Sequence, residues 1–162
     1  MAEILSQLEA ISFDSKGNAK KYLGQGWDST PGTEGTWTVA PLAQLAFQMA
    51  PSIGQLTLEI DAGPYVRAPA LKKQTLTAFL NGIWIGHIEA TNFTKLSFAF
   101  NSDILRNRGE NVLSFVLPDA TTASEVGAGP GTRPFGFCFR SVRIVPVSNH
   151  MRTASGTARA MR

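Results

Sequence analysis

The chain has 162 residues, a length that fits one domain with a substantial core. Hydrophobic residues make up 43% and charged residues only 17%, which indicates a globular β-rich protein and argues against extensive disorder. The formal net charge is +3, but three arginines lie in the last eleven residues, and without them twelve basic residues balance twelve acidic ones. Since nucleic-acid-binding domains carry basic charge on the folded surface, a neutral body argues against nucleic acid as a partner.

The single cysteine and the N-terminus narrow the class of protein further. Cys138 is the only cysteine, which excludes an internal disulfide and a cysteine-based zinc site. The N-terminus lacks a basic leader followed by an apolar stretch, and no apolar run approaches membrane-spanning length. We therefore expect synthesis in the cytoplasm without a signal peptide and without membrane insertion. Cell lysis or release within a particle would then be the route to the outside.

Alternation of apolar and polar residues predicts a series of β-strands. The first lies near residues 10–13, after a short helix or arm. Further alternating runs cover residues 43–49, 56–60, 75–88 (as a hairpin), 96–100, 113–117 and 135–144. With no convincing internal helix, this pattern predicts an all-β fold, an antiparallel β-sandwich in a jelly-roll arrangement. The predicted organisation is an N-terminal arm (1–10), the sandwich (11–147) and a basic C-terminal tail (148–162).

The clearest local signal is the Asn81-Gly82 dipeptide, which is typical of a type I′ turn in a two-residue hairpin. It predicts that Leu80 faces Ile83, that Phe79 faces Trp84 and that Ala78 faces Ile85. One face of the hairpin is then expected to be core, with Leu76, Ala78, Leu80, Ile83 and Ile85. Phe79 and Trp84 form an aromatic pair on the other face, which we interpret as a candidate interface.

The segment 22–37, YLGQGWDSTPGTEGTW, is predicted to be a long ordered loop that enters a strand. It holds Trp27, Glu34 and Trp37 among Gly, Thr and Pro residues. Large aromatic side chains on such a loop either plug the edge of the core or form a binding surface. The sequence leaves both alternatives open for each tryptophan.

Several short motifs lie within about residues 10–147. They are GW, a following E and GTW, then QxLxxxLNG, LPDA and RPFG, with the residues Trp27, Glu34, Trp37, Gln74, Asn81, Gly82, Pro118, Asp119, Ala120, Arg133 and Gly136. Together these motifs resemble a bacterial β-sandwich of the galactose-binding-like type. The usual pattern has an acid two residues before the arginine, whereas Gly131 and Thr132 precede Arg133 here. That departure puts a carried-over salt bridge or metal role in doubt. The resemblance implies recognition of polysaccharide, and similar freestanding modules serve as receptor-binding spikes on phage-like particles, including gene transfer agents.

The residue types in the two long loops suit a carbohydrate ligand. Sugars stack their C–H faces on aromatic rings, while carboxylates, amides and arginines bind their hydroxyl groups. The first and last strands of a jelly roll often pair, which would bring the first long loop to the last one, residues 118–132. The candidate carbohydrate-binding residues are Trp27, Asp28, Glu34, Trp37 and Arg133. The alternative is that Glu34 and Arg133 form a buried structural pair beneath the tryptophans, which leaves no open site.

The candidates for catalysis are weak, so we expect a protein that is not an enzyme and needs no cofactor. His87 and His150 are the only histidines, and no nucleophile motif or metal-ligand spacing is present. Asp28 and Glu34 could in principle act as a glycosidase pair, but both lie in one loop without a cleft-forming insertion. Calcium is compatible with this fold, yet no close cluster of carboxylates marks a site.

The two ends of the chain suggest an assembly. We expect Ile4, Leu5 and Leu8 of the arm to be buried against another chain, and the tail arginines to contact a partner's carboxylates. The sequence therefore predicts a homo-oligomer or particle component, a spike that binds bacterial capsular polysaccharide in several copies. A purely structural assembly or decoration protein and an accessory module of polysaccharide biosynthesis are the alternatives.

Overall fold

Two antiparallel β-sheets make up the part of the chain that the structure, a computed structural model, describes, which is residues 3–6 and 9–147. The strands are β1 (Ile11–Ser12), β2 (Thr36–Trp37), β3 (Leu42–Phe47), β4 (Gln55–Pro64), β5 (Gln74–Leu80), β6 (Ile83–Ala90), β7 (Thr94–Asn101), β8 (Asn111–Val116) and β9 (Phe137–Pro146). Two short 3-10 turns, Ala19–Lys21 and Ser102–Ile104, are the only helical segments in these residues. No helix here is long and apolar enough to cross a membrane.

The strand order brings the first strands of the chain next to the last one. One sheet has the order β1-β9-β4-β7, with β2 also paired to β9, and the other has the order β3-β8-β5-β6. The early strands β1 and β2 therefore both pair with the last strand, β9. The predicted all-β fold, an antiparallel β-sandwich of jelly-roll type, is confirmed.

The core lies between the sheets because apolar residues alternate along most of the strands. In β5, every second residue from Gln74 to Leu80 is buried and the residues between them are half-buried. Burial of each large apolar side chain stabilises the fold by about 1.5–3 kcal/mol. The largest fully buried side chains of the strands are Ile11, Leu45, Phe47, Leu56, Leu58, Ile60, Phe115, Phe137 and Phe139.

The predicted hairpin turn is confirmed, since Asn81 and Gly82 have φ angles of 52° and 81°. The Asn81 side chain also ties the turn to the rest of the fold. Its amide nitrogen donates to the Ile104 carbonyl at 2.9 Å, and its oxygen accepts from the Val112 N–H at 2.9 Å. Leu80 faces Ile83 and Phe79 faces Trp84, as the turn predicts.

Beyond Phe79 the predicted register is wrong, because a β-bulge makes Gly86, and not Ile85, the partner of Ala78. The ring of Phe98 from β7 lies directly on Gly86, where a larger side chain would collide with it. The bulge turns Gly86 inward. The predicted core position of Ile83 is wrong, since Ile83 is 48% exposed, whereas Ile85 is half-buried and packs against the core.

The described part of the predicted arm packs on its own domain. Leu5 is only 1% exposed, and its N–H donates to the Gln48 carbonyl at 2.7 Å. The expectation that Leu5 is buried against another chain is therefore wrong, because Leu5 belongs to this chain's own core. Ile4 beside it is exposed. Leu8 and the tail over residues 148–162 lie outside the described residues.

Candidate functional site

The first long loop folds back against β3 and against the residues that follow Trp37. Trp27 lies opposite Thr38 in an antiparallel bridge, and the Asp28 N–H donates to the Trp37 carbonyl at 2.9 Å. Gly26 has a φ of +92° and lies so close to the Leu42 carbonyl that no Cβ would fit there. The glycine therefore allows the loop to run against β3, and the pairing fixes which side chains point inward.

Trp27 points into the edge of the core. Its ring centroid lies 5.2 Å from that of Phe13, 5.0 Å from Phe139 and 6.4 Å from Phe115. Its indole N–H donates to the Gln44 carbonyl at 2.8 Å, which satisfies its polar group. The structure thus places Trp27 as a plug at the core edge and not in an open site.

Trp37 points to the other side, where it lines an open cleft of about 480 Å³. The ring centroids of Tyr65 and Phe135 lie 6.0 Å and 5.6 Å from that of Trp37, both nearly edge-on. The Tyr65 and Phe135 centroids are 5.4 Å apart. Ala123 and Ala128, from the loop over residues 118–132, line the same cleft, so the predicted meeting of the two long loops is confirmed.

A fully buried amide holds two of these aromatic residues together. The Gln74 side-chain nitrogen donates to the Tyr65 carbonyl at 2.8 Å and to the Phe135 carbonyl at 3.0 Å. The Gln74 side-chain oxygen has no hydrogen-bond partner among the described residues. Phe135 is fixed further by two backbone hydrogen bonds with Thr121. The aromatic lining is therefore set before any ligand arrives.

Asp28 and Arg133 form an ion pair at one rim of the cleft. An Arg133 guanidinium nitrogen lies 3.2 Å from an Asp28 carboxylate oxygen, and the guanidinium also lies 5.6 Å from the Phe135 ring centroid. The Thr30 backbone N–H, and after it the Arg133 side chain, hold the pKa of Asp28 below its ordinary value. Asp28 is therefore an ionised acceptor at neutral pH.

Arg67 lies at the other rim, above Tyr65. Its guanidinium carbon is 4.8 Å from the Tyr65 ring centroid, and one of its nitrogens donates to the Val66 carbonyl. Arg67 and Leu71 exchange two backbone hydrogen bonds, of 2.7 and 2.8 Å, which close the loop that carries the arginine. No carboxylate among the described residues forms an ion pair with Arg67.

Glu34 does not line this cleft and pairs with a different arginine. Its carboxylate lies 3.8 Å from Arg140, whose guanidinium stacks 3.7 Å above the Phe93 ring. The Glu34 side chain is 72% exposed. The alternative of a buried Glu34–Arg133 pair beneath the tryptophans is therefore wrong, and Asp28 and Glu34 bind different arginines.

Two other features of the sheet that contains β9 suit a ligand less well. A groove of about 340 Å³ crosses this sheet, but two of its charged groups, Arg143 and Glu59, lie 2.6 Å apart and bind each other, and no aromatic ring lines it. Burial raises the pKa of the Cys138 thiol to about 11, so this cysteine is an unreactive packing residue at neutral pH. Among the described residues, no cluster of three or more His, Cys, Asp or Glu side chains could hold a metal ion.

Sequence reasoning missed Tyr65, Arg67 and Phe135 as site residues. Tyr65 directly follows Gly63-Pro64, and Phe135 directly follows Arg133-Pro134. Pro64 ends β4 and Pro134 precedes β9, so each proline marks a strand boundary. An aromatic residue that directly follows such a proline is a usable signal, because it lies at the edge of the sandwich.

The sequence matches no known protein-family model, and no curated protein is detectably similar to it. Among solved structures, 85% of the chain aligns with the whole C-terminal CBM6 of a marine laminarinase from Zobellia galactanivorans, at 14% identity and a TM-score of 0.49. The chain also aligns over 91% of its length with a quarter (25%) of the mosquito-larvicidal Cry4Aa toxin from Bacillus thuringiensis, at 12% identity and a TM-score of 0.52. It aligns over 81% with 17% of a family GH115 4-O-methyl-α-glucuronidase, at 11% identity and a TM-score of 0.51. The last two similarities establish a shared β-sandwich fold and nothing beyond the fold.

Proposed function

We propose that the protein is a non-catalytic carbohydrate-binding protein whose ligand occupies the cleft between Trp37, Tyr65 and Phe135. The observation that carries this proposal is three packed aromatic rings lining an open cleft that has charged groups at both rims. Apolar ring faces suit the C–H faces of a sugar, and rim charges suit its hydroxyl groups. The volume of about 480 Å³ falls within the range of small-ligand sites.

The rim charges support binding rather than proton transfer. Asp28 has a lowered pKa and an arginine partner, so it accepts hydrogen bonds from hydroxyl groups and does not donate a proton at neutral pH. A general acid needs a pKa close to the working pH. Asp28 therefore suits the role of a fixed acceptor for sugar hydroxyls.

We extend the proposal to the ligand's origin and to the setting of the protein. The ligand would be a bacterial surface polysaccharide of the capsular type, and the chain would act as a spike of a phage-like particle. A single sugar site binds weakly, and the presentation of several copies raises the effective affinity without new contacts. This setting requires a surface for attachment away from the cleft.

The end of the sandwich opposite the cleft offers such a surface. Ile53 precedes β4 and Ile83 begins β6. The Ser102 N–H donates to the Gly54 carbonyl, and the Asn81 side-chain amide donates to the Ile104 carbonyl, so these segments meet at one end. Four of the five exposed large hydrophobic residues of the described chain lie there, and this set is called the apolar end: Ile4, Ile53, Ile83 and Trp84. Phe79, opposite Trp84, borders it. The cleft lies at the other ends of β4, β5 and β9.

The apolar end also supports a second candidate function, a structural assembly or decoration protein without a sugar ligand. The two candidates differ in what each surface does. If the protein binds sugar, Trp37 determines glycan binding and the apolar end does not. If the protein is only structural, the apolar end determines association and substitutions in the cleft have no effect on any ligand.

A glycan array and a pull-down with capsular polysaccharide, each with three proteins, separate these functions. The proteins are the unaltered chain, Trp37→Ala and the matched control Trp84→Ala, which removes an exposed tryptophan far from the cleft. We expect Trp84→Ala to bind the same set of glycans as the unaltered chain, with a weaker signal only as far as its assembly is weakened, and Trp37→Ala to lose them. Equal binding by all three proteins would overturn the cleft as the binding site, and no binding by any of them would overturn the carbohydrate-binding proposal itself.

Light scattering on the same proteins tests the assembly. We expect the unaltered chain and Trp37→Ala to form the same oligomer, and the double change Ile53→Ser with Trp84→Ser to weaken it. A monomer in every case, with no binding to any particle component, would contradict the spike proposal and leave the sugar site unaffected.

A further inference from the structure

The cleft has an unequal distribution of charge. Two guanidinium groups, those of Arg67 and Arg133, lie over aromatic rings of the lining, whereas Asp28 is the one carboxylate among the lining residues. Asp28 forms its ion pair with Arg133. Arg67 is therefore a positively charged lining residue whose charge is not balanced by a carboxylate of the lining.

The other carboxylates at this end of the sandwich have different partners. Asp119 accepts from the Thr75 N–H, Glu125 accepts from the Thr122 hydroxyl, and Glu89 binds Lys73. None of them forms an ion pair with Arg67, and one Arg67 nitrogen donates only to the adjacent Val66 carbonyl. A guanidinium carries five N–H donors, so Arg67 has donors available for an anion in the cleft.

Arg67 is also held in place, which distinguishes it from a mobile surface arginine. The reciprocal Arg67–Leu71 backbone hydrogen bonds close its loop, and the Tyr65 ring beneath the guanidinium fixes one face of it. Tyr65 is itself buried and is anchored by Gln74. A planar, fixed guanidinium matches the two oxygens of a carboxylate better than it matches a single hydroxyl.

We infer that the cleft binds an acidic sugar unit of a polysaccharide, with Arg67 as the residue that selects the negative charge. This inference rests on the proposed carbohydrate-binding function and specifies its ligand class. The Trp37, Tyr65 and Phe135 rings contact the apolar faces of the sugar, Arg67 binds its anionic group, and Asp28 with Arg133 binds hydroxyl groups. A uronic acid carboxylate and a sugar sulfate share the required chemistry.

The experiment measures binding to acidic polysaccharides beside neutral partners of identical backbone. Polygalacturonate, alginate and hyaluronate are each compared with their carboxyl-reduced forms, and a sulfated galactan is compared with its desulfated form. Arg67→Gln is tested against the unaltered chain. Its matched control is Arg108→Gln, which removes one exposed positive charge on the loop that precedes β8, at the end of the sandwich away from the cleft.

We expect the unaltered chain to bind at least one acidic polymer about 10-fold or more tighter than its neutral form, since a hydrogen-bonded charge pair contributes a tenfold effect or more. Arg67→Gln should lose that preference and keep its affinity for the neutral form within about threefold, whereas Arg108→Gln should behave as the unaltered chain. Added salt should weaken acidic binding in the unaltered chain more than in Arg67→Gln. The comparison of each carboxylated polymer with its carboxyl-reduced form, and of the sulfated galactan with its desulfated form, identifies which anion is preferred.

Two contrary results have different meanings. Trp37-dependent binding with no preference for the acidic form, or an equal loss of both forms in Arg67→Gln, overturns the acidic-sugar inference and leaves carbohydrate binding in place. No binding of any polymer in the set, together with a negative glycan array, overturns the inference and the proposed function alike.

Discussion

Trp27 and Trp37 belong to the same loop and have opposite roles. Trp27 lies among three phenylalanines with its N–H satisfied by a backbone carbonyl, whereas Trp37 lines an open cleft with Tyr65 and Phe135. The bridge between Trp27 and Thr38 places these two side chains on the inner face. Because successive residues of an extended segment point to opposite faces, Asp28 and Trp37 must then point outward. The pairing register, and not the residue type, decides which tryptophan can meet a ligand.

The same contrast separates the origin of stability from the origin of specificity. Around Trp27, the neighbouring rings are apolar and the indole N–H is bonded to a backbone carbonyl, so the contribution of Trp27 is to the free energy of unfolding. Around Trp37, the neighbouring aromatic residues Tyr65 and Phe135 are held by Gln74, and the rim carries charged groups such as the Asp28–Arg133 pair. Substitutions at the two tryptophans should therefore change different measured quantities.

The largest effect is expected for Trp27→Ala. Loss of the indole leaves a cavity between Phe13, Phe115 and Phe139, and we expect the free energy of unfolding to fall by about 3–5 kcal/mol. Urea unfolding followed by circular dichroism measures this change. The molecules that remain folded should keep their glycan affinity. A fall below about 1 kcal/mol, with loss of binding, would reverse the roles assigned to the two tryptophans.

Trp37→Ala should show the opposite pattern. We expect binding to weaken by about 2 kcal/mol, or roughly 30-fold, because a central aromatic contact is lost. The free energy of unfolding should fall by only about 1 kcal/mol, from the lost edge-on contacts with Tyr65 and Phe135. Calorimetric titration with a polysaccharide identified on the array measures the first change. Trp37→Phe keeps an aromatic face and should recover part of the affinity, which a purely structural Trp37 would not predict.

Gln74→Met tests whether the residues behind the cleft position its aromatic lining, because Gln74 holds Tyr65 and Phe135 and does not itself line the cleft. The change keeps the size of the side chain and removes two buried hydrogen bonds, which leaves the Tyr65 carbonyl without this donor. We expect a loss of about 1–3 kcal/mol in unfolding free energy, together with weaker glycan binding by the folded protein. Gln74→Met that loses stability but retains full affinity would show that Gln74 does not position the cleft.

The fold was predictable from sequence because its signals are local. Alternation identified the strands, and Asn81-Gly82 identified the turn and the Phe79–Trp84 pair. The register beyond that pair depends on Phe98 from another strand, so no local pattern could reveal the bulge at Ile85. The two-residue alternation of apolar and polar residues along a strand carries no information about contacts between the two sheets.

The candidate site was predictable only in part, for the same reason. The loop segment 22–37 was identified as the central one, and Asp28, Trp37 and Arg133 do lie at the cleft. The sequence could not distinguish Trp27 from Trp37, because their directions follow from the bridge to Thr38. Tyr65 and Phe135 meet only because the end of β4 pairs with the start of β9, across a register shift near Asp61.

The smallest effect is expected for Asp28→Asn, and it depends on pH. The pKa of Asp28 is lowered in the folded protein, chiefly by the Thr30 N–H and then by Arg133, relative to an ordinary value of 3.8. The folded state therefore binds a proton less readily than the unfolded state. The stabilisation by the ionised group is complete above pH 3.8 and is lost as the pH falls through the folded-state pKa. The amide that replaces the carboxylate does not titrate, so this contribution is absent from the variant at every pH.

Urea unfolding of both proteins, at neutral pH and at several values below pH 3.8, tests this expectation. The unaltered chain should be the more stable one at neutral pH, by a small margin because Arg133 is more than half exposed, and the margin should shrink as the solution becomes acidic. Arg133→Gln is the matched partner change and should remove part of the same margin, since the Thr30 hydrogen bond remains. A margin that grows in acid would contradict the lowered pKa. It would also remove the basis for treating Asp28, the outward neighbour of Trp27, as the ionised acceptor of the cleft.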